Sequence, residues 1–186
     1  MKRLSIFLMS VLFAVSSFAQ ESGCHFEFEG IPVSGTLDAF LSVSEERGYH
    51  LMERTDHTLL LSGRYKGKKC RVLVESLSHE DCVWGLTVLL PSRSNWKGLI
   101  SDYNRMCDCF RDQFGNPQYQ VEHFNVSKPL ASDSLKYFAV QQGVCMYKSV
   151  FENALGQIDV VIWSDDVNGC YVLVSYIDKF NSYKQQ

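Results

Sequence analysis

The chain has 186 residues, with 18 basic and 21 acidic side chains and a formal net charge of −3. A mildly acidic chain disfavours binding to nucleic acid or to an anionic membrane surface as the main function. The length suits one domain, or two small subdomains that share a core.

Residues 1–19 are predicted to be a cleavable export signal. Two basic residues precede an apolar run from Leu4 to Val15, and small residues flank Phe18 at the expected cleavage site. The run is shorter than the roughly 20 residues of a membrane-spanning helix, so no span is expected in the mature protein. A single domain at 20–186 would then lie in the periplasm or outside the cell. A retained anchor and lipidation at Cys24 are the alternatives.

The first half of the domain predicts a strand, a helix and three hairpin-linked strands. Residues 25–29 alternate apolar and polar side chains, as in a strand. Leu37, Phe40 and Leu41 have helical spacing, and Gly48 supplies a helix end. The three strands that follow are predicted at Leu59 to Tyr65, Cys70 to Leu77 and Cys82 to Leu90.

The second half begins with the clearest helical pattern in the chain. Its apolar stripe consists of Trp96, Leu99, Ile100, Tyr103, Met106, Cys107, Phe110 and Phe114. A strand at Tyr119 to Phe124 and a short helix from Ser134 to Gln142 follow. The last three strands are predicted at Cys145 to Glu152, Gln157 to Ser164 and Cys170 to Asp178.

These elements predict an α+β fold built from two helix-plus-three-strand units. Amphipathic helices and one-sided strands bury their apolar surfaces against each other. We therefore expect a largely antiparallel sheet with helices packed on one face. The repeated order indicates a tandem duplication, with units at about 25–91 and 92–180.

The mature chain retains seven cysteines, an odd number that permits at most three disulfides and leaves at least one thiol unpaired. They are Cys24, Cys70, Cys82, Cys107, Cys109, Cys145 and Cys170. Many lie within apolar strands or helix faces, where a thiol acts as a small hydrophobic group. At most one or two disulfides are expected.

Three segments resemble a family of exported domains of unknown function from anaerobic gut bacteria, of the secreted Bacteroides type. They are Phe28 to Leu37 with Phe40, Trp96 to Leu99 together with Phe114 to Pro117, and Gly143 to Tyr147. These are hydrophobic and turn patterns rather than reactive ones. The resemblance implies export and this fold pattern, and it carries no activity to transfer.

Candidate catalytic arrangements are weak. Ser94 and Lys97 have Ser-x-x-Lys spacing at a helix start, but the companion motifs of penicillin-binding enzymes are missing. His79 could withdraw a proton from Cys82 in a suitable turn, but no neighbouring group would orient the imidazole.

The metal and acid–base candidates are no stronger. Cys107 and Cys109 point to opposite sides of a helix and cannot bind one ion. The carboxylate pairs Glu45-Glu46 and Asp165-Asp166 suit a helix and a turn. The sequence therefore predicts no catalytic, cofactor-binding or metal-binding residues, and it leaves enzyme activity uncertain.

The preferred hypothesis is a non-enzymatic binding or interaction module of the cell envelope. Its partner would be an envelope protein, a peptide or a glycan, and not nucleic acid. The candidate binding surface consists of Tyr65, Trp84, Trp163 and Tyr183. Ser134 lies in a short acceptor pattern for O-linked glycans, with helix capping as the alternative.

Two other functions remain open. One is a small hydrolase or inhibitor-like protein whose site is assembled from distant residues. The other is a structural subunit held by an unpaired cysteine.

Overall fold

The computed structural model describes residues 25–185, so the predicted signal segment and Cys24 lie outside the described residues. The strands are β1 (Glu27–Phe28), β2 (Ile31–Pro32), β3 (His50–Arg54), β4 (Thr58–Tyr65), β5 (Lys68–Ser76), β6 (Val83–Leu89), β7 (Tyr119–Phe124), β8 (Cys145–Glu152), β9 (Gly156–Asp165) and β10 (Gly169–Asp178). The helices are α1 (Leu37–Glu46), α2 (Trp96–Phe114), α3 (Asp133–Gln141) and α4 (Lys179–Ser182), and a 3-10 turn follows at Tyr183–Gln185.

Eight strands form one antiparallel sheet in the order β3-β4-β5-β6-β10-β9-β8-β7. Because β6 pairs with β10 at the centre, each half of the chain contributes four neighbouring strands. The predicted α+β class with a largely antiparallel sheet is confirmed.

Each half contributes four strands to this sheet, one more than the predicted helix-plus-three-strand unit, and the additional strand of the second half is β7, at the position predicted for it. The strand β3 was not predicted, because all five of its side chains are exposed and an edge strand without a buried face lacks alternation. The predicted strand at 25–29 is reduced to β1, which pairs with β2 in a separate hairpin. Glu29 and Gly30 turn this hairpin with φ of 49° and 77°, as a two-residue type I′ turn requires.

One face of the sheet is buried across six of its eight strands. Two rows of neighbouring residues cross the six strands from β4 to β8, each residue at most 4% exposed. The first row is Leu59, Val74, Leu86, Tyr176, Ile158 and Phe151, and the second is Leu61, Val72, Val88, Val174, Val160 and Ser149. We call this surface the covered face.

The three longer helices cover this face. The apolar stripe of α2 packs over β8, β9 and β10, α3 lies beside it on the same strands, and α1 packs over β3, β4 and β5. Leu37 and Phe40 of α1 and Tyr103 and Phe110 of α2 belong to one hydrophobic cluster with the covered face. Asn95 caps α2 by accepting a hydrogen bond from the Gly98 amide at 2.8 Å.

Most polar side chains buried on this side have partners, and the Ser44 hydroxyl of α1 is an exception. The hydroxyls of Tyr65 and Tyr176 lie 2.6 Å apart. Asp102 on α2 accepts hydrogen bonds from Lys68 at 2.6 Å and from Arg93 at 2.7 Å. Burial by itself would raise the pKa of Asp102, but the hydrogen bonds and charges of Arg93 and Lys68 hold that pKa below its usual value.

All six cysteines that the structure describes are free thiols. Cys145 and Cys170 lie on strands separated by β9, which places their Cα atoms about 10 Å apart, too far for a disulfide. Within residues 25–185, no helix is long and apolar enough to cross a membrane.

Candidate functional site

The opposite face of the sheet is formed by the side chains that alternate with the buried ones. Its upper row is Ser62, Arg71, Leu89, Leu173, Val161 and Lys148. Its middle row is Leu60, Leu73, Thr87, Ser175, Asp159 and Val150. Its lower row is Thr58, Glu75, Gly85, Ile177, Gln157 and Glu152. We call these three rows the bare face, because α1, α2 and α3 all pack on the other side.

Aliphatic side chains form a strip across the bare face, which is otherwise mostly polar. Leu89, Leu173 and Val161 stand side by side on β6, β10 and β9, and Leu60 and Leu73 stand side by side on β4 and β5. All five are partly exposed, although their neighbours in the sheet shield them. Large contiguous apolar surfaces are typical of places where another molecule binds.

An aromatic margin adjoins this strip. Trp163 on β9 is 53% exposed, Met146 on β8 is 46% exposed and Tyr119 on the edge strand β7 is 54% exposed. Exposed aromatic and methionine side chains are enriched where proteins contact each other.

Charges on the bare face are separated by row. Arg71 and Lys148 lie in the upper row, and Glu75 and Glu152 lie in the lower row. Asp159 of the middle row forms an ion pair with Lys148, at an N–O distance of 2.6 Å.

Glu75 is the least compensated of these charges. Burial among its neighbours raises the pKa of Glu75, and no neighbouring charge contributes to the shift. The guanidinium of Arg71 donates a hydrogen bond to the neutral amide oxygen of Asn168. Glu75 and Arg71 can therefore each form an ion pair with another charged group.

The four aromatic residues predicted as a binding surface lie in different environments. Trp163 and Tyr183 are exposed, at 53% and 69%, and Trp84 is half-buried. Tyr65 is fully buried, because its ring stacks on Phe28 and its hydroxyl pairs with Tyr176, so it cannot contribute to a surface patch. Tyr183 lies beyond the end of β10, whereas Trp163 borders the bare face, so the four do not form one patch.

The bare face has a sequence signal of its own. Most of its strands carry consecutive aliphatic residues rather than a strict alternation, as in 59–61, 72–74, 160–162 and 172–174. Continuous apolar strands are typical of sheets covered on both faces. Here the helices cover only one.

The weaker chemical candidates do not come together. Ser94 and Lys97 are both exposed, and Asn95 rather than Ser94 caps α2. Burial raises the pKa of the Cys82 thiol, which opposes its use as a nucleophile. Cys107 is buried against the sheet and Cys109 is half-buried. Ser134 is exposed in the first turn of α3, where Ser132 is the cap, so the glycan prediction at Ser134 stays untested.

A cavity of about 300 Å³ lies between the N-terminal hairpin and the C-terminal end of α2. Its acidic and basic lining side chains are His25, Glu27, Glu29 and Lys66. Glu29 accepts a hydrogen bond from the Tyr49 hydroxyl at 3.1 Å, and His25 lies 3.3 Å from the Asp178 carboxylate. Among the described residues, the lining contains neither serine nor cysteine, and the hydroxyl of its Tyr176 is paired with the Tyr65 hydroxyl at 2.6 Å.

Within the part of the chain that the structure describes, no three His, Cys, Asp or Glu side chains are grouped so as to hold a metal ion. Comparison of the chain with protein-family models, with curated proteins and with solved structures found no match. The interpretation of the site therefore depends on its own geometry.

Proposed function

We propose that this protein is an exported, non-enzymatic protein–protein interaction module of the cell envelope, and that the bare face is its binding surface. The observation that carries the proposal is the set of partly exposed aliphatic side chains on five adjacent strands, from Leu60 on β4 to Val161 on β9.

Keeping these aliphatic side chains in contact with water costs free energy. Apolar surface gains about 25 cal/mol for each Å² removed from water, so several neighbouring leucines and valines favour association. Residues that serve only as a solvated outer sheet surface are normally polar at alternate positions. Leu73, Leu89 and Leu173 depart from that rule, and a partner that covers them accounts for the departure.

Export is part of the proposal because the N-terminal segment has the charge and length of a cleavable signal. The resemblance to exported domains of gut bacteria supports the same location. N-terminal sequencing of protein released by its host should begin at Gln20.

A duplication would explain the symmetry of the sheet, and we infer it from the matching order of the two halves. Each half runs from a helix through four antiparallel strands, and the last strand of each half lies at the centre. The second half differs by the insertion of α3 between β7 and β8.

The test of binding uses a photo-crosslinking amino acid, benzoylphenylalanine, placed at Val161 in the producing cell. A matched control variant carries it at Phe138 on α3, which is 57% exposed on the helical side. We expect a discrete crosslinked adduct from position 161 and none from position 138. Adding Leu73→Asp should abolish the adduct while circular dichroism and thermal unfolding stay unchanged.

Two results would overturn the proposal. One is the absence of an adduct at position 161, and the other is equal adducts from the two positions.

A further inference from the structure

A two-fold rotation places most side chains of the bare face opposite complementary side chains of a second copy. An axis in the plane of the sheet that crosses the strands along the middle row exchanges the upper and lower rows. Each strand then lies over its own copy. Two-fold dimers bury the same patch on both subunits, so such a patch must be complementary to itself.

The exchange pairs opposite charges. Arg71 and Glu75 lie on β5, on either side of Leu73, so Arg71 of each copy meets Glu75 of the other. Lys148 and Glu152 lie in the same relation on β8. Within one copy Arg71 and Glu75 are about 13 Å apart along the strand, too far for a direct ion pair.

The exchange also matches shape and polarity on β4, β6 and β10, whereas on β9 it places Val161 against Gln157. Leu173 meets Ile177 on β10, and Leu89 meets the glycine at position 85 on β6. Because this glycine has no side chain, it leaves room for Leu89 and the two sheets can approach closely. Ser62 meets Thr58 on β4, which pairs two small polar side chains.

The exchange also creates one like-charged contact, because Asp159 lies on the axis and meets Asp159 of the other copy. Lys148 of the same subunit holds that carboxylate at 2.6 Å and neutralises it. Lys148 is still 39% exposed, which leaves its ammonium free to contact Glu152 of the second copy as well. Glu152, whose present partner is Lys179 at 3.3 Å, is also 39% exposed.

The interface is small. The six strands from β4 to β8 and the edge strand β7 span about 30 Å, and the three rows span about 13 Å, from strand spacing and rise per residue. That is on the order of 400 Å² for each copy, or about 800 Å² in total, below the roughly 1,200 Å² of a standard specific interface, so we expect a weak dimer that forms at high protein concentration. Packed sheets cross at about 30°. The rows of the two copies therefore stay aligned near Leu73, which lies on the axis, and diverge with distance from it.

We propose that the bare face binds the bare face of a second copy of this chain, about a two-fold axis over Leu73 that places Arg71 of each copy against Glu75 of the other. The inference rests on the proposed function, because it names the partner for the same surface. The dimer is a sandwich of two eight-stranded sheets with the helices on its two outer sides.

The test uses the single variants Arg71→Glu and Glu75→Arg, and sedimentation velocity of the purified mature protein. The wild type should be dimeric at high protein concentration. Each variant should associate at least about tenfold more weakly, because its homodimer contains two repulsive contacts. An equal mixture of the two variants should associate nearly as tightly as the wild type, because the mixed dimer contains two attractive contacts.

The control variant is Lys69→Glu, which makes the same charge change on β5 outside the exchanged rows. It should stay dimeric. Circular dichroism and thermal unfolding of every variant establish that the fold is intact.

A wild type that is monomeric at the highest concentration it tolerates would overturn the inference. So would a mixture no more associated than its separate variants, or an equal loss in Lys69→Glu. A monomeric protein that still gives an adduct at position 161 with a different protein would remove this inference and leave the proposed function standing. An adduct of twice the chain mass supports both.

Discussion

The two faces of the sheet are made from the same strands and similar aliphatic residues, yet they have different environments. Leu59 on the covered face is 0% exposed, whereas its neighbour Leu60 on the bare face is partly exposed. The difference shows that apolar residues in a strand do not always belong to the protein's own core. On one face they hold the fold together, and on the other they are available to a partner.

The largest expected effect comes from truncating matched leucines on the two faces. Leu59→Ala should lower the free energy of unfolding by about 2–5 kcal/mol, because it leaves a cavity under α1. Leu60→Ala should cost less than about 1 kcal/mol, because solvent fills the space. Urea unfolding at high dilution measures both, and equal losses would mean that the two faces are not different.

Hydroxyl pairs give a second comparison. Tyr65→Phe on the covered face should cost about 1–3 kcal/mol, since it leaves the buried Tyr176 hydroxyl unpaired. The double variant with Tyr176→Phe should cost less than the sum of the single variants. Thr87→Val on the bare face removes a hydroxyl pair with Ser175, 3.0 Å long, that water can replace, so it should cost about 0.5 kcal/mol or less. A cost at Thr87 as large as at Tyr65 would contradict this.

Acid should destabilise the covered side through Asp102. The pKa of Asp102 in the fold lies below its usual value of 3.8, so its charge stabilises the protein above that pH. The contribution is lost as the pH falls through the folded pKa. Asp102→Asn should lower stability at neutral pH by about 1–3 kcal/mol and flatten its further loss at acid pH.

The control for acid unfolding is Asp108→Asn, in an ion pair with Arg111 on the exposed side of α2. It should leave the pH dependence of unfolding nearly unchanged, because exposed ion pairs contribute little. Parallel curves of unfolding free energy against pH for the wild type and Asp102→Asn would show that the Asp102 carboxylate does not contribute to acid unfolding.

The smallest expected effect is an increase in the free energy of unfolding. The Ser44 hydroxyl lies on the buried side of α1 without a hydrogen-bond partner. Ser44→Ala should stabilise the protein by about 1 kcal/mol, through helix propensity and the removal of an unpaired polar group. Ser42→Ala, exposed on the same helix, should gain about 0.5 kcal/mol from propensity alone. Differential scanning calorimetry compares them, and a loss at Ser44 would indicate a partner for its hydroxyl.

The helices and most strands could be predicted because their signals are local. The stripe of α2 repeats at helical spacing, and the turn residues Asn95 and Gly115 mark its ends. The edge strand β3 could not be predicted, since its pairing with β4 leaves no buried side chain to impose alternation. Tyr65 looked like a surface aromatic because the sequence does not show that Phe28 and Tyr176 close over it.

The candidate site depends on contacts between residues far apart in the chain. Arg71, Leu89, Leu173 and Lys148 form one row only because β6 pairs with β10 and places the two halves side by side. The sequence by itself determined the α+β class, the amphipathic helices and the apolar strands, since each follows from spacing over a few residues. Only the tertiary structure decided which face the helices cover, because strand order and register assign every alternate side chain to one face or the other.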